Sequence, residues 1–138
     1  VQTCALPILE KELLEEFKQK GYPMILATSG DKDCIRQACE RLEIRQYFTE
    51  LLFCSEVGAG KDRPDIYLEA ARKMNCRPDE ALVVEDALHA IETAKKAGFS
   101  TAAVYDKANK EQEKIRETAD IYLKSFDEQL TEMITGRM

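Results

Sequence analysis

ALVVEDALHAIETAKKAGFSTAAVY, residues 81–105, carries two different periodicities in close succession. Ala81–Asp86 and Ser100–Tyr105 are short, nearly continuous apolar runs, the length of a buried strand. Between them lies a helical stretch that ends at Gly98, a natural C-terminal stop. Strand, helix and strand in this order form a crossover unit, so the two strands lie parallel. Apolar runs of this kind are buried on both sides, which requires helices on both faces of the sheet.

The same alternation extends in both directions. LEKELLEEFKQKG places Leu9, Leu13, Leu14 and Phe17 on one helical face and stops at Gly21. PMILAT (Pro23–Thr28) reads as a strand, and Asp31 opens a helix through Leu42 with Ile35, Cys39 and Leu42 inward. ELLFCS (Glu50–Ser55) is a further strand. Pro64 then begins a helix whose expected inner face is Ile66, Ala70 and Met74. Beyond residue 105 a charged helix is expected near Asn109–Thr118, then a short strand in ADIYL and a last helix over Asp127–Thr135. The fold class is α/β: a Rossmann-like, doubly wound parallel sheet in a single domain.

The chain has 138 residues, 44% hydrophobic and 33% charged, which suits one packed domain. A net charge of −6 without a basic stripe argues against nucleic acid as the partner. No run is long enough to span a bilayer, and no secretory leader is visible. Cys34, Cys39, Cys54 and Cys76 lack CxxC spacing and sit among apolar neighbours, as expected of reduced core thiols in a cytoplasmic protein. VQTCALPI (Val1–Ile8) has no charge, no initiator Met and no periodicity. It back-translates into the end of a common short-read sequencing adapter and is set aside as a scar, leaving 9–138 as the native segment.

In open parallel sheets, ligands bind beyond the carboxyl ends of the strands. Those ends carry Thr28-Ser29-Gly30, Ser55 with the loop to Lys61, Glu85-Asp86, and Asp106. Hydroxyls and a lysine suit phosphoryl oxygens, and carboxylates suit hard Mg²⁺. Each residue also has a plainer reading: Thr28 as a turn cap, Lys61 as a solvated loop residue, Asp86 as a cap of the next helix. His89, the single histidine, reads as a polar residue on an exposed helix start. GAGKD is not a P-loop, because GxxxxGK[ST] needs Gly at position 55 and Ser or Thr at position 62, where the chain has Ser55 and Asp62.

ILATSG, GKDRPDIYLEAA and VVEDALHAIETAKKAGF together resemble the second, third and fourth motifs of the haloacid dehalogenase superfamily, in its phosphatase and β-phosphoglucomutase-like branch. The likeness covers Leu9 to Val104. It implies an Mg²⁺-dependent phosphohydrolase or phosphomutase acting on a small phosphorylated metabolite through an aspartyl-phosphate intermediate. It also implies that Thr28 and Ser29 contact phosphoryl oxygens, that Lys61 neutralises the phosphate, and that Asp86, with Glu85 beside it, holds Mg²⁺. The fourth motif of the family often reads EDSxxGI. Here it is Glu85-Asp86-Ala87-Leu88-His89-Ala90-Ile91, which keeps both carboxylates and loses the hydroxyl and the glycine.

The nucleophilic motif of the family, DxDGT, occurs nowhere in these residues. The resemblance places it, with a substrate-selecting cap, ahead of Leu9, so the chain is expected to be an inactive C-terminal part of the core. The strand bearing that motif would lie between the strands ending at Thr28 and at Asp86. Without it three arrangements are open: the two halves close, a gap remains, or Thr3–Leu6 supplies a strand. A second class of function is a non-catalytic module that binds a phosphoryl ligand or a protein.

Overall fold

A computed structural model of the chain describes residues 8–123. Helices and strands alternate along it: α1 (Ile8–Gln19), β1 (Ile25–Thr28), α2 (Lys32–Arg41), β2 (Glu50–Phe53), α3 (Cys54–Val57), α4 (Asp65–Lys73), β3 (Leu82–Glu85), α5 (Leu88–Lys96), β4 (Ser100–Val104), α6 (Gln112–Thr118) and β5 (Ile121–Leu123). All five expected strands are present, each a little shorter than its apolar run. Helix α1 takes in Ile8, one residue before the expected start, and α6 begins three positions after Asn109. The expected helix over Asp127–Thr135 and the Thr3–Leu6 strand lie outside the described residues.

The strands form two parallel sheets, β2–β1 and β3–β4–β5. Ala27 faces Leu52 across the first, while Val84 faces Ala102 and Ala103 faces Tyr122 in the second. Parallel pairing throughout matches the crossover reading. Direct closure of the two halves is not what the described residues do, because β1 and β3 share no ladder. Among the described residues, Leu13, Phe17, Leu26, Leu82 and Val83 line a cavity of about 430 Å³ between these strands.

Side-chain alternation along the strands divides the core between two faces. Leu26 packs with Ile35 and Cys39 of α2, and Ala102 with Leu13 and Phe17 of α1. On the opposite face, Ile25, Ala27 and Val83 meet Ile66, Tyr67 and Ala71 of α4, and Ala103 meets Ile91 of α5 and Ile115 of α6. Helices on both faces make the fold doubly wound.

Three sequence expectations need correction. The buried face of α4 is Ile66, Tyr67 and Ala71, with Ala70 and Met74 only half-buried. The rotation brings the Tyr67 hydroxyl to a polar partner at the end of β3, which an Ile66–Ala70–Met74 face would not reach. Of the cysteines, Cys39 and Cys54 are core thiols as expected and Cys76 is half-buried, but Cys34 is exposed in the first turn of α2. That helix buries Ala38 where Leu42 was expected. Among the described residues no helix is long and apolar enough to cross a membrane.

Candidate active site

Four chain segments end on the carboxyl rim of the two sheets. After β1, Thr28 is buried and its Oγ1 accepts a hydrogen bond of 3.0 Å from the Gly30 amide. The turn-capping reading of Thr28 therefore holds for one lone pair, and the hydroxyl proton stays available to a ligand. Space is tight at Gly30: a Cβ there would lie 2.9 Å from Ile35 Cδ1 and 3.3 Å from Thr28 Oγ1, so the Ile35 side chain would have to shift. Ser29 is exposed beside it. Asp31 caps α2, its Oδ2 accepting from the Cys34 amide at 3.1 Å.

After β2, the short α3 ends at Gly58, whose φ of 78° lets the chain turn back. That turn delivers Lys61 into the interior, where 8% of it is exposed. Its Nζ donates to Glu85 Oε1 at 2.5 Å, and Tyr67 Oη donates to the same oxygen at 2.9 Å. The solvated-loop reading of Lys61 does not hold. Burial alone would raise the Glu85 carboxyl; neighbouring positive charge, that of Lys61 included, and the two hydrogen bonds outweigh it and hold the carboxyl below its usual range. Burial, followed by the adjacent Glu85 charge, pushes the Tyr67 phenol far above its ordinary value, so it remains a donor.

Asp86 follows Glu85 and is also buried. It does not cap α5: the N-cap is Ala87, and it makes no side-chain cap bond. Asp86 Oδ2 instead accepts from Asn109 Nδ2 at 3.3 Å, while its Oδ1 is buried without a hydrogen-bond partner. An unpaired carboxylate oxygen out of water is costly unless something positive meets it. Asp106, also on the rim, spends Oδ1 on the Ala108 amide in a local turn. His89 is exposed on α5, as its sequence position suggested.

The structure thus joins Lys61, Glu85 and Tyr67 directly and sets Asp86 against them in sequence. Thr28 and Ser29 share the rim but make no described bond to that group. Tyr67 and Asn109 were missed by the sequence reading. The signal for Tyr67 was a polar-tipped aromatic beside Ile66 in α4, on a stripe wider than one row of residues.

The family model described as haloacid dehalogenase-like hydrolase matches residues 10–104. The chain belongs to this family. Within it, the phosphorylated carbohydrates phosphatase of Thermotoga maritima is 35% identical over 89 residues, covering 64% of this chain and 41% of that protein. The validoxylamine A 7'-phosphate phosphatase of Streptomyces hygroscopicus subsp. limoneus is 35% identical over 88 residues, again 64% of this chain and 41% of the relative. Among solved structures, CbbY of Rhodobacter sphaeroides in complex with phosphate superposes with a TM-score of 0.76 at 27% identity, over 86% of this chain and 53% of that one. The chain therefore spans about two-fifths of the length of these curated relatives. Phosphatases are the setting in which this hydrolase-family chain sits.

The haloacid dehalogenase resemblance implies Mg²⁺. Among the described residues no cluster of three ligating side chains exists. Mg²⁺ does not require one, since it is commonly held by one or two carboxylates with water and substrate oxygens. The buried, unpartnered Oδ1 of Asp86 fits such an ion. Glu85 fits less directly, because its Oε1 already receives both Lys61 and Tyr67.

Proposed function

We propose that these residues form the phosphate- and cation-handling part of a cytoplasmic phosphohydrolase or phosphomutase acting on small phosphorylated metabolites. The observation that carries this reading is the buried Lys61–Glu85 pair beside an Asp86 oxygen with no partner, on the rim of parallel strands. Lys61 presents its remaining donors to phosphoryl oxygens. Thr28 donates its hydroxyl proton to the same group, and Ser29 lies next to it at the mouth. Asp86 holds the divalent cation; Glu85 fixes the position of Lys61 and, through Tyr67, its own. When bound, Mg²⁺ offsets anionic charge on the phosphoryl oxygens and the carboxylates. The aspartyl-phosphate route requires a nucleophilic carboxylate from a DxDGT segment, which these 138 residues do not contain.

That lack favours, for the chain by itself, the second reading: a module that binds a phosphoryl ligand without turnover. The two are separated by assay. Purified chain with Mg²⁺ should bind inorganic phosphate in a calorimeter and should not hydrolyse p-nitrophenyl phosphate or acetyl phosphate. Turnover that disappears in Asp86→Asn would show that the nucleophile has been misplaced. In a protein that joins this chain to a DxDGT segment, Lys61→Ala and Asp86→Ala should each lower the rate at least ~100-fold, the scale of losing one electrostatic group at such a centre. Near-normal rates would return that residue to a structural role.

A further inference from the structure

The loop between β4 and α6 reaches the candidate cation site through one side chain. Asn109 Nδ2 donates to Asp86 Oδ2 at 3.3 Å, and nothing in the activity proposed so far uses this contact. Asn109 is itself tightly held. Its amide N–H donates to Asp106 O at 2.9 Å, and its carbonyl accepts from Gln112 Nε2 at 2.7 Å. The same Gln112 nitrogen donates to Asp106 O at 3.1 Å, so one side chain staples both ends of the turn. Gln112 is fixed from its other end, where Oε1 accepts from Tyr122 Oη at 2.7 Å. Tyr122 is anchored in β5 opposite Ala103 of β4, with the Arg116 guanidinium 4.7 Å above its ring. A continuous row of hydrogen bonds therefore runs from β5 to the Asp86 carboxylate.

The row has a directional consequence. An amide NH₂ offered to Oδ2 fixes the rotation of the carboxylate, and Oδ1 is the oxygen left buried and unpaired. A freely rotating aspartate would present either oxygen and would pay orientational entropy on meeting an ion. An aspartate locked at one oxygen meets it already oriented. We propose that Asn109 is the positioning residue for Asp86, and that the Gln112–Tyr122 staple holds it in place to turn Oδ1 towards a divalent cation. This rests on the reading of Asp86 as the cation-holding carboxylate.

The test uses the full chain and Mn²⁺, which shares the oxygen preference of Mg²⁺ and is counted as free ion by electron paramagnetic resonance. Asp86→Asn should abolish Mn²⁺ binding. Asn109→Ala should weaken it by about 10-fold or more, the usual scale when the group orienting a metal ligand is removed. Tyr122→Phe, which deletes only the hydroxyl that holds Gln112, should weaken it by a smaller factor with an unchanged melting curve. Unaltered affinity in Asn109→Ala overturns the proposal while leaving Asp86 as the ligand. Should Asn109→Ala fail to fold, Tyr122→Phe decides, and parental affinity in that variant overturns the proposal. If the parent chain binds no Mn²⁺, the reading of Asp86 fails, and positioning is judged without metal from the Asp86 carboxyl ¹³C resonance. A shift of that resonance in Asn109→Ala sustains it; an unmoved resonance overturns it.

Discussion

Lys61 and Glu85 meet where little water reaches, with side chains 7% and 2% exposed. A well-packed apolar pair of similar volume often stabilises a fold as well as a buried ion pair, so the presence of this one favours a role in binding. Removing a single partner is another matter. Lys61→Met removes the ammonium from a buried Glu85 and should destabilise the fold by about 3–5 kcal/mol in urea unfolding at neutral pH. The double substitution Lys61→Met with Glu85→Met should recover most of that loss. If the single variant is as stable as the parent, the two charges are not buried together. Acid gives the complementary test. The folded Glu85 carboxyl lies below its unfolded value, so its stabilisation is complete at pH above about 4.3, the ordinary glutamate value. It is lost as pH falls through the lower, folded value. Glu85→Gln should therefore flatten the acid limb of the stability profile, and an unchanged slope would remove the coupling.

At the scale of elements, β5 is held to β4 by more than its ladder. Asp120, just before β5, accepts from the Thr101 amide at 2.8 Å and from Thr101 Oγ1 at 3.1 Å. Its own amide returns a bond of 3.2 Å to that hydroxyl. Thr101 is fully buried, so losing the carboxylate strands its backbone donor. Asp120→Ala should cost about 1–2 kcal/mol in thermal or urea unfolding, and a cost near zero would mean that water replaces it. Lys95→Met, across an exposed ion pair to the same residue, should cost less than about 1 kcal/mol. The elements themselves were legible in the sequence because apolar run length and period report local structure. Glu85 and Asp86 were legible as adjacent carboxylates at the end of a strand, and Lys61 as the lysine of a loop marked by Gly58, Gly60 and Pro64. Tyr67 and Asn109 were not, because their partners lie 18 and 23 positions away and become neighbours only once the sheet exists.

Across the whole molecule, the two sheets share no ladder among the described residues, so side-chain packing carries their cohesion there. Ile66 is part of this packing: fully buried, in one cluster with Leu52 of β2, Ala94 of α5, and Ala81 and Phe99, which precede β3 and β4. Ile66→Ala should destabilise by about 2–5 kcal/mol, the range for emptying such a site. Amide hydrogen exchange should quicken in both sheets together; acceleration confined to β1 and β2 would mean that the halves unfold separately. Charge is the other property of the whole. The chain carries a net −6, and among the described residues of the site the Lys61 ammonium faces two carboxylates, Glu85 and Asp86. A lone phosphate dianion approaching this rim meets a repulsive field both far off and close by. A cation bound first then raises the affinity for phosphate, and phosphate raises that for the cation by the same factor. The Lys61–Glu85 pair, by neutralising the buried ammonium, makes occupancy by phosphate alone the disfavoured state.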